Sequence, residues 1–232
     1  MNIHLLRGRD MFYRFMLFTL FSVFLSTQAM AGKFEDAYGP KLYDIEKDKT
    51  SVRFVTKMCT ADIIQGRFNE FFGQIYFDEF EPENSWVDVT IDTSSLSLDK
   101  EMHGNHIIKD VIEDVDILNI KKFTNIKLKS TKLERTGMNT GFMIADLTLL
   151  GETRPVKLEV TFENTMKDKY AKKVDDGKVA FSAYGTFKRS EWNLLYGLDR
   201  VGIRRMGDEV QIFVTVTGKL HEEKEVEKEK EQ

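Results

Sequence analysis

The residues of this chain that could do chemistry are few and scattered. His103-x-x-His106 stands at i, i+3 spacing, which on a helix would present two imidazoles to one metal ion. Asp99, Glu101 and Asp110 lie close enough in sequence to complete such a site, but no recognised motif orders them. After residue 31 the only other histidine is His221, near the C-terminus, so a histidine-rich zinc site is out of reach and no metal is expected. Ser97-x-x-Lys100 has the spacing of one element of a penicillin-binding active site, yet the accompanying Ser-Asp-Asn and Lys-Thr-Gly elements are missing. No Gly-x-Ser-x-Gly elbow, phosphate loop or dinucleotide fingerprint occurs. No catalytic residue and no enzyme activity are expected.

A second set of charged residues flanks apolar sequence. Asp146 sits inside a strongly apolar run; if it points inward it needs a partner such as Arg154 or Lys157, because unpaired burial of a charge is costly. Arg67 poses the same question after Gly66, read as a strand break. Lys188-Arg189, Arg200 and Arg204-Arg205 form a basic segment that either attracts a phosphate or anionic head group or is a solvated loop. Cys59 is the only cysteine, so no intramolecular disulfide can form, and it reads best as a small buried hydrophobe.

The elements that position these residues alternate with a period of two, the signature of strands wet on one face and buried on the other. Gly141 to Phe162 reads as two such strands joined by a turn at Gly151-Glu152-Thr153-Arg154-Pro155. Leu147 and Leu149 share one face of the first, and Val156, Leu158, Val160 and Phe162 share one face of the second. The same alternation puts Val52 and Phe54, Ile75 and Phe77, and Val87, Val89 and Ile91 on inner faces. Ile126 and Leu128, Phe181 and Ala183, and Val210, Ile212, Val214 and Val216 follow suit. About eight strands result, enough for an antiparallel barrel or sandwich. Between Asp99 and Lys122 the period lengthens to three or four, which predicts a short helical insert over one end or edge of the sheet.

Both ends of the chain stand apart. Arg7, Arg9 and Arg14 precede the apolar run Phe15 to Leu25, and Ala29-Met30-Ala31 has the small-x-small pattern of a cleavage site. Residues 1–31 therefore read as a secretory signal peptide, the run being short of the roughly 20 residues of a membrane span. Met11 is a plausible alternative start. Residues 32–218 form one domain, and 219–232 a Glu/Lys-rich tail, a frayed helix or disordered. Loss of residues 1–31 removes Arg7, Arg9, Arg14 and Asp10 and moves the net charge from −4 to −6. That mild acidity argues against nucleic acid as a partner.

The order and spacing of several short motifs resemble the YceI-like family of exported bacterial proteins. They are Tyr43-x-Ile45 with Ser51-Val52-x-Phe54; Gly66-Arg67-Phe68 with Phe71-x-Gly73 and Phe77-Asp78; and Val87-x-Val89-x-Ile91-Asp92-x-x-Ser95. Asn105-His106-Ile107-Ile108-Lys109, Ser130-Thr131 and Asp146-Leu147-Thr148-Leu149-x-Gly151-x-Thr153-x-Pro155-Val156-x-Leu158 follow. Lys188-Arg189, Trp192 and Gly207-Asp208-x-Val210 close the series. The chain departs from the family pattern at Ile117-Leu118 and Phe123-Thr124, in extra residues around Val111 to Asp114, and in a long basic loop from Leu194 to Arg205.

The resemblance implies an all-β, lipocalin-like eight-stranded antiparallel barrel with a short helical insert, holding a long isoprenoid chain such as a polyprenyl phosphate or quinone. The expected lumen is lined by Phe54, Phe68, Phe77, Val89 and Ile91, by Leu147, Leu149, Val160 and Phe162, and by Phe181, Phe187, Ile212 and Val214. Arg67, His106 and Arg189 are the candidate head-group contacts. No cofactor is expected beyond the bound isoprenoid lipid or quinone. The expected partner is that lipid, with transient membrane contact, and the expected location is periplasmic or secreted. The expected state is monomer or homodimer. Two other readings stay open: a hydrolase acting on lipid-like substrates at the barrel mouth, and a ligand-free stress-protective module whose aromatic rings fill a dry core.

N-terminal sequencing of exported protein should begin at Gly32. An intact Met1 or Met11 end on membrane-held material would contradict the signal-peptide reading.

Overall fold

In the computed structural model, residues 39–58, 62–98, 117–163, 177–198 and 206–222 are described. Eleven strand segments follow one another, and all pairings are antiparallel. They are β1 (Lys41–Ile45), β2 (Ser51–Met58), β3 (Asp62–Phe68), β4 (Phe71–Phe77), β5 (Trp86–Asp92), β6 (Leu96–Leu98), β7 (Asn125–Arg135), β8 (Thr140–Leu149), β9 (Glu152–Phe162), β10 (Lys178–Lys188) and β11 (Met206–Leu220).

These segments make eight staves. β1 runs into β2, β3 into β4 and β5 into β6, each pair being one long strand creased in the middle. The three creases lie side by side. Asn69 donates from its side chain to the Ser95 carbonyl at 2.8 Å, and Lys47 reaches Glu70 at 2.5 Å. Sharp local bending of this kind is what lets a sheet of eight strands curl shut. β11 completes the ring: β10 pairs along its whole length on one edge, while β2 and then β1 pair on the other. The result is a closed antiparallel eight-stranded barrel, the one of the two architectures left open by the alternation that the resemblance implies.

The sequence pattern located one segment of every stave but missed β1, β3 and β6 as separate pieces. β7, β10 and β11 also run beyond the alternating cores that marked them. β11 ends at Leu220, two residues inside what was read as tail. Residues 117–124 are turns and irregular chain; the rest of the expected helical insert lies outside the described residues, as do the signal peptide, Cys59 and the tail beyond Glu222.

The β8–β9 turn is tighter than expected. It consists of Leu150 and Gly151, with φ of 53° and 80°, so both adopt the left-handed region that a two-residue hairpin of matching twist demands. β9 starts at once, and Pro155 sits within it opposite Asp146. A proline is tolerated there because β10 pairs only with Leu158–Phe162 of β9. The first half of β9 therefore has a free edge towards which a missing N–H costs nothing. In β7 the register slips between Ser130 and Lys132. This bulge re-aims the strand, so that Leu133, rather than Lys132, continues the inner face begun by Ile126 and Leu128.

Gly151→Ala should lower stability by more than about 1 kcal/mol, because alanine is strained at positive φ. Its Cβ would also meet the Phe123 ring at 2.9 Å. A shifted urea midpoint checks this; an unchanged midpoint would mean that the turn is not of this type.

Candidate functional site

Period-two alternation on eight staves sends one set of side chains inwards, and that set is apolar almost throughout. Together they enclose a cavity of about 280 Å³. For scale, an engineered cavity of about 150 Å³ stays dry and admits benzene, and ligand pockets generally start near 300 Å³. The lumen is thus neither a filled core nor a wide channel.

Twelve of the thirteen residues expected in the lumen line this cavity: Phe54, Phe68, Phe77, Val89, Ile91, Leu147, Leu149, Val160, Phe181, Phe187, Ile212 and Val214. Phe162 packs one layer beyond it. Its ring lies 5.0 Å from that of Phe77 and 5.2 Å from that of Phe181, and those two rings are 5.2 Å apart. This aromatic triad, backed by buried Tyr43, Ile75 and Val179, floors one end of the barrel. Alternation alone could not separate a lining residue from a floor residue, since both face inwards.

Gly66 does not break its strand. It lies within β3 opposite Phe54, where a Cβ would come within 2.6 Å of the Phe54 ring and 2.8 Å of Leu98. The glycine gives the aromatic ring room to cross the lumen. Arg67, the next residue, faces outwards and is exposed, with its Nε donating to Ser97 Oγ at 3.4 Å. Asp146 is likewise exposed on the outer face, directly across from Lys129, so the question of an inward carboxylate is answered by the register. His103, His106, Arg200, Arg204 and Arg205 lie outside the described residues.

The opposite end of the barrel is capped by a 3-10 turn, Arg189–Trp192. Trp192 is fully buried, donates Nε1–H to the Leu147 carbonyl at 3.0 Å, and meets the Phe187 ring edge-on at 5.0 Å. Buried Ile117 and Leu118 join the same core, so at this departure from the family pattern the chain still supplies apolar side chains. Asn193 ends the turn in the left-handed region at φ 57°. Asp208 ties the cap to β11: its carboxylate accepts from Ser190 N and Ser190 Oγ, both at 2.9 Å.

Arg189 is 2% exposed and lines the cavity. Its guanidinium donates to the carbonyls of Gly207 (2.7 Å), Leu194 (2.5 Å), Tyr196 (2.7 Å) and Met206 (3.3 Å). Burial pulls it below its ordinary pKa, while the nearby Asp208 charge opposes that shift. Thr56, also buried, donates to the Glu209 carbonyl at 2.9 Å on the same rim. Sequence reasoning singled out Arg189 for its charge, and alternation placed Thr56 on the face of Val52 and Phe54, but it had no signal for the carbonyls that hold either side chain. The Arg189 contacts depend on how the following loop folds back, and the Thr56 contact joins segments distant in sequence.

Among the described residues no three His, Cys, Asp or Glu side chains cluster as metal ligands would. The lining set likewise holds no carboxylate, imidazole or thiol.

A family model described as a YceI-like domain matches residues 43–218. A UPF0312 protein of Pseudomonas putida (strain W619) is 32% identical over 142 residues, covering 61% of this chain and 67% of the relative. A UPF0312 protein of Pectobacterium carotovorum subsp. carotovorum (strain PC1) is 27% identical over 176 residues, covering 76% and 84%. Among solved structures, Burkholderia cenocepacia BcnA superposes with a TM-score of 0.60 at 22% identity, covering 75% of this chain and 98% of that one. A polyisoprenoid binding domain from Saccharophagus degradans, implicated in plant cell wall breakdown, superposes with a TM-score of 0.56 at 11% identity, covering 77% and 98%. At these identities the two structures speak for the fold.

Trp192→Phe should cost about 0.5–1.5 kcal/mol, the net worth of the indole hydrogen bond to the Leu147 carbonyl. Trp192→Ala should cost about 3–5 kcal/mol by adding a cavity. Denaturant melts of both variants check this, and a Phe variant as stable as the parent would remove the cap hydrogen bond from the account.

Proposed function

The chain belongs to the YceI-like family, and from that premise we propose that it is an exported, non-enzymatic carrier that holds a long isoprenoid chain in its barrel lumen. The observation that carries this reading is the cavity itself: a closed barrel enclosing about 280 Å³ behind an almost wholly apolar wall. Such a wall has no affinity for a polar metabolite and every affinity for a hydrocarbon. A polyprenyl phosphate or a quinone joins such a chain to a compact head. The fold neighbour described as a polyisoprenoid binding domain supports the same class of ligand.

Energetics limit what the wall can do. A buried methylene is worth about 0.8 kcal/mol against water, but an isoprenoid lipid starts in a bilayer, which is already apolar. Transfer into the lumen therefore exchanges like for like, and selectivity falls to tunnel shape and to the few polar groups at the ends. With no carboxylate, imidazole or thiol among the described lining residues, the lumen wall offers no general base for hydrolysis.

Register supplies the test. Val89 and Val214 line the cavity, whereas Thr90 and Thr215 do not. Trp at Val89 or Val214 should cut the amount of prenyl lipid recovered by organic extraction severalfold while the barrel still folds. Trp at Thr90 or Thr215 should leave it unchanged. If the inner variants instead lose about 1–3 kcal/mol and no lipid is ever taken up by the parent, the interior is a dry core and the carrier reading fails.

A further inference from the structure

Arg53 and Arg189 are the two cationic residues along the described cavity wall, and they differ completely in setting. Arg53 is exposed on the outer face. Arg189 is buried, and the four groups it bonds are neutral carbonyls. A guanidinium carries five N–H donors and cannot shed its charge in a protein. Nε uses its one, Nη2 uses both of its own, and Nη1 uses one on the Leu194 carbonyl. Among the described residues no acceptor meets the second Nη1–H. The charge of nearby Asp208 acts on the group through space, but its carboxylate bonds Ser190 and no ion pair joins the two among the described residues.

A full charge held out of water is costly unless an acceptor or counter-charge meets it. The four carbonyls explain how the guanidinium is held, and they lash Leu194–Tyr196 to Met206–Gly207. They leave the fifth donor unexplained, and the charge is met only through space, by Asp208. Both stand at the cap end of a lumen that is otherwise apolar.

We infer that Arg189 is the polar anchor for the lumen's ligand, receiving an oxygen acceptor, either a carbonyl or an anionic phosphate oxygen, on its remaining Nη1–H. The ligand then lies with its oxygen-bearing end at the Arg189–Trp192 cap and its chain running towards the rings of Phe77, Phe162 and Phe181. This inference rests on the reading of the lumen as an isoprenoid site and adds to it an orientation and a requirement for a head group. Arg189 binds by contact, and its clamping of the cap is a separate role.

Because Arg189→Ala would release four carbonyls and could unfold the cap, the test uses the parent protein. Delipidated full-length protein is offered four ligands with prenyl chains of equal length: the hydrocarbon, the alcohol, the quinone and the monophosphate. Affinity is read by lipid uptake, and the Arg189 Nε–H resonance is followed by NMR. The quinone or the monophosphate should bind at least tenfold tighter than the hydrocarbon and should move the Arg189 resonance, which the hydrocarbon should leave in place. Whichever of the two binds tighter identifies the acceptor as carbonyl or anionic. Equal affinity for all four, with an unmoved resonance, would reduce Arg189 to a clamp and overturn the anchor while leaving the carrier reading intact. Binding of none of the four would overturn both.

Discussion

Closure of the sheet along β11 is the constraint on which everything else depends. This strand pairs with β10 along one edge and with both β2 and β1 along the other, so no stave keeps a fully open edge. Once the ring is shut, period-two alternation stops being a local preference and becomes a division of space. Every second side chain must enter one shared interior. The aromatic floor, the capping turn and the cavity between them are consequences of that division. So is the outward placement of Asp146 and Arg67, whose charges the interior would not tolerate.

The alternating strands were legible because burial on one face and solvent on the other writes itself into the sequence residue by residue. Val87, Val89 and Ile91, or Val210 to Val216, need no knowledge of their partners. The creased segments were harder to see. β6 is only three residues long, and β3 contains Gly66, whose absent side chain answers to Phe54 on a neighbouring strand. The β8–β9 turn was drawn too long because proline usually marks a loop. Here Pro155 is tolerated by an edge that exists only because β10 stops pairing at Leu158. Local pattern cannot report where a neighbouring strand ends.

The site shows the same split. Its apolar wall could be read from periodicity, while the roles of its polar groups could not. Arg189 was one of several basic residues in a segment with no distinguishing local feature. What sets it apart is four carbonyls contributed by chain five to eighteen positions away. Likewise Trp192 stood out only as a motif aromatic, and only the fold sets its indole N–H against the Leu147 carbonyl. A hydrophobic wall sets the class of ligand, and a few long-range polar contacts at its ends set how that ligand can lie. The wall is a property of the pattern and the contacts are a property of the fold.

Whether the space inside the barrel belongs to a ligand is decided most directly by seeing a ligand there. Isotope-filtered NOEs between a ¹³C-labelled prenyl quinone or prenyl phosphate and the full-length protein would do so. A carrier should show contacts from the chain to methyl groups of Ile91, Leu147 and Ile212, and none to outward-facing Thr90 or Thr215. Contacts confined to the outer surface, or none at all under saturating lipid, would contradict the central claim.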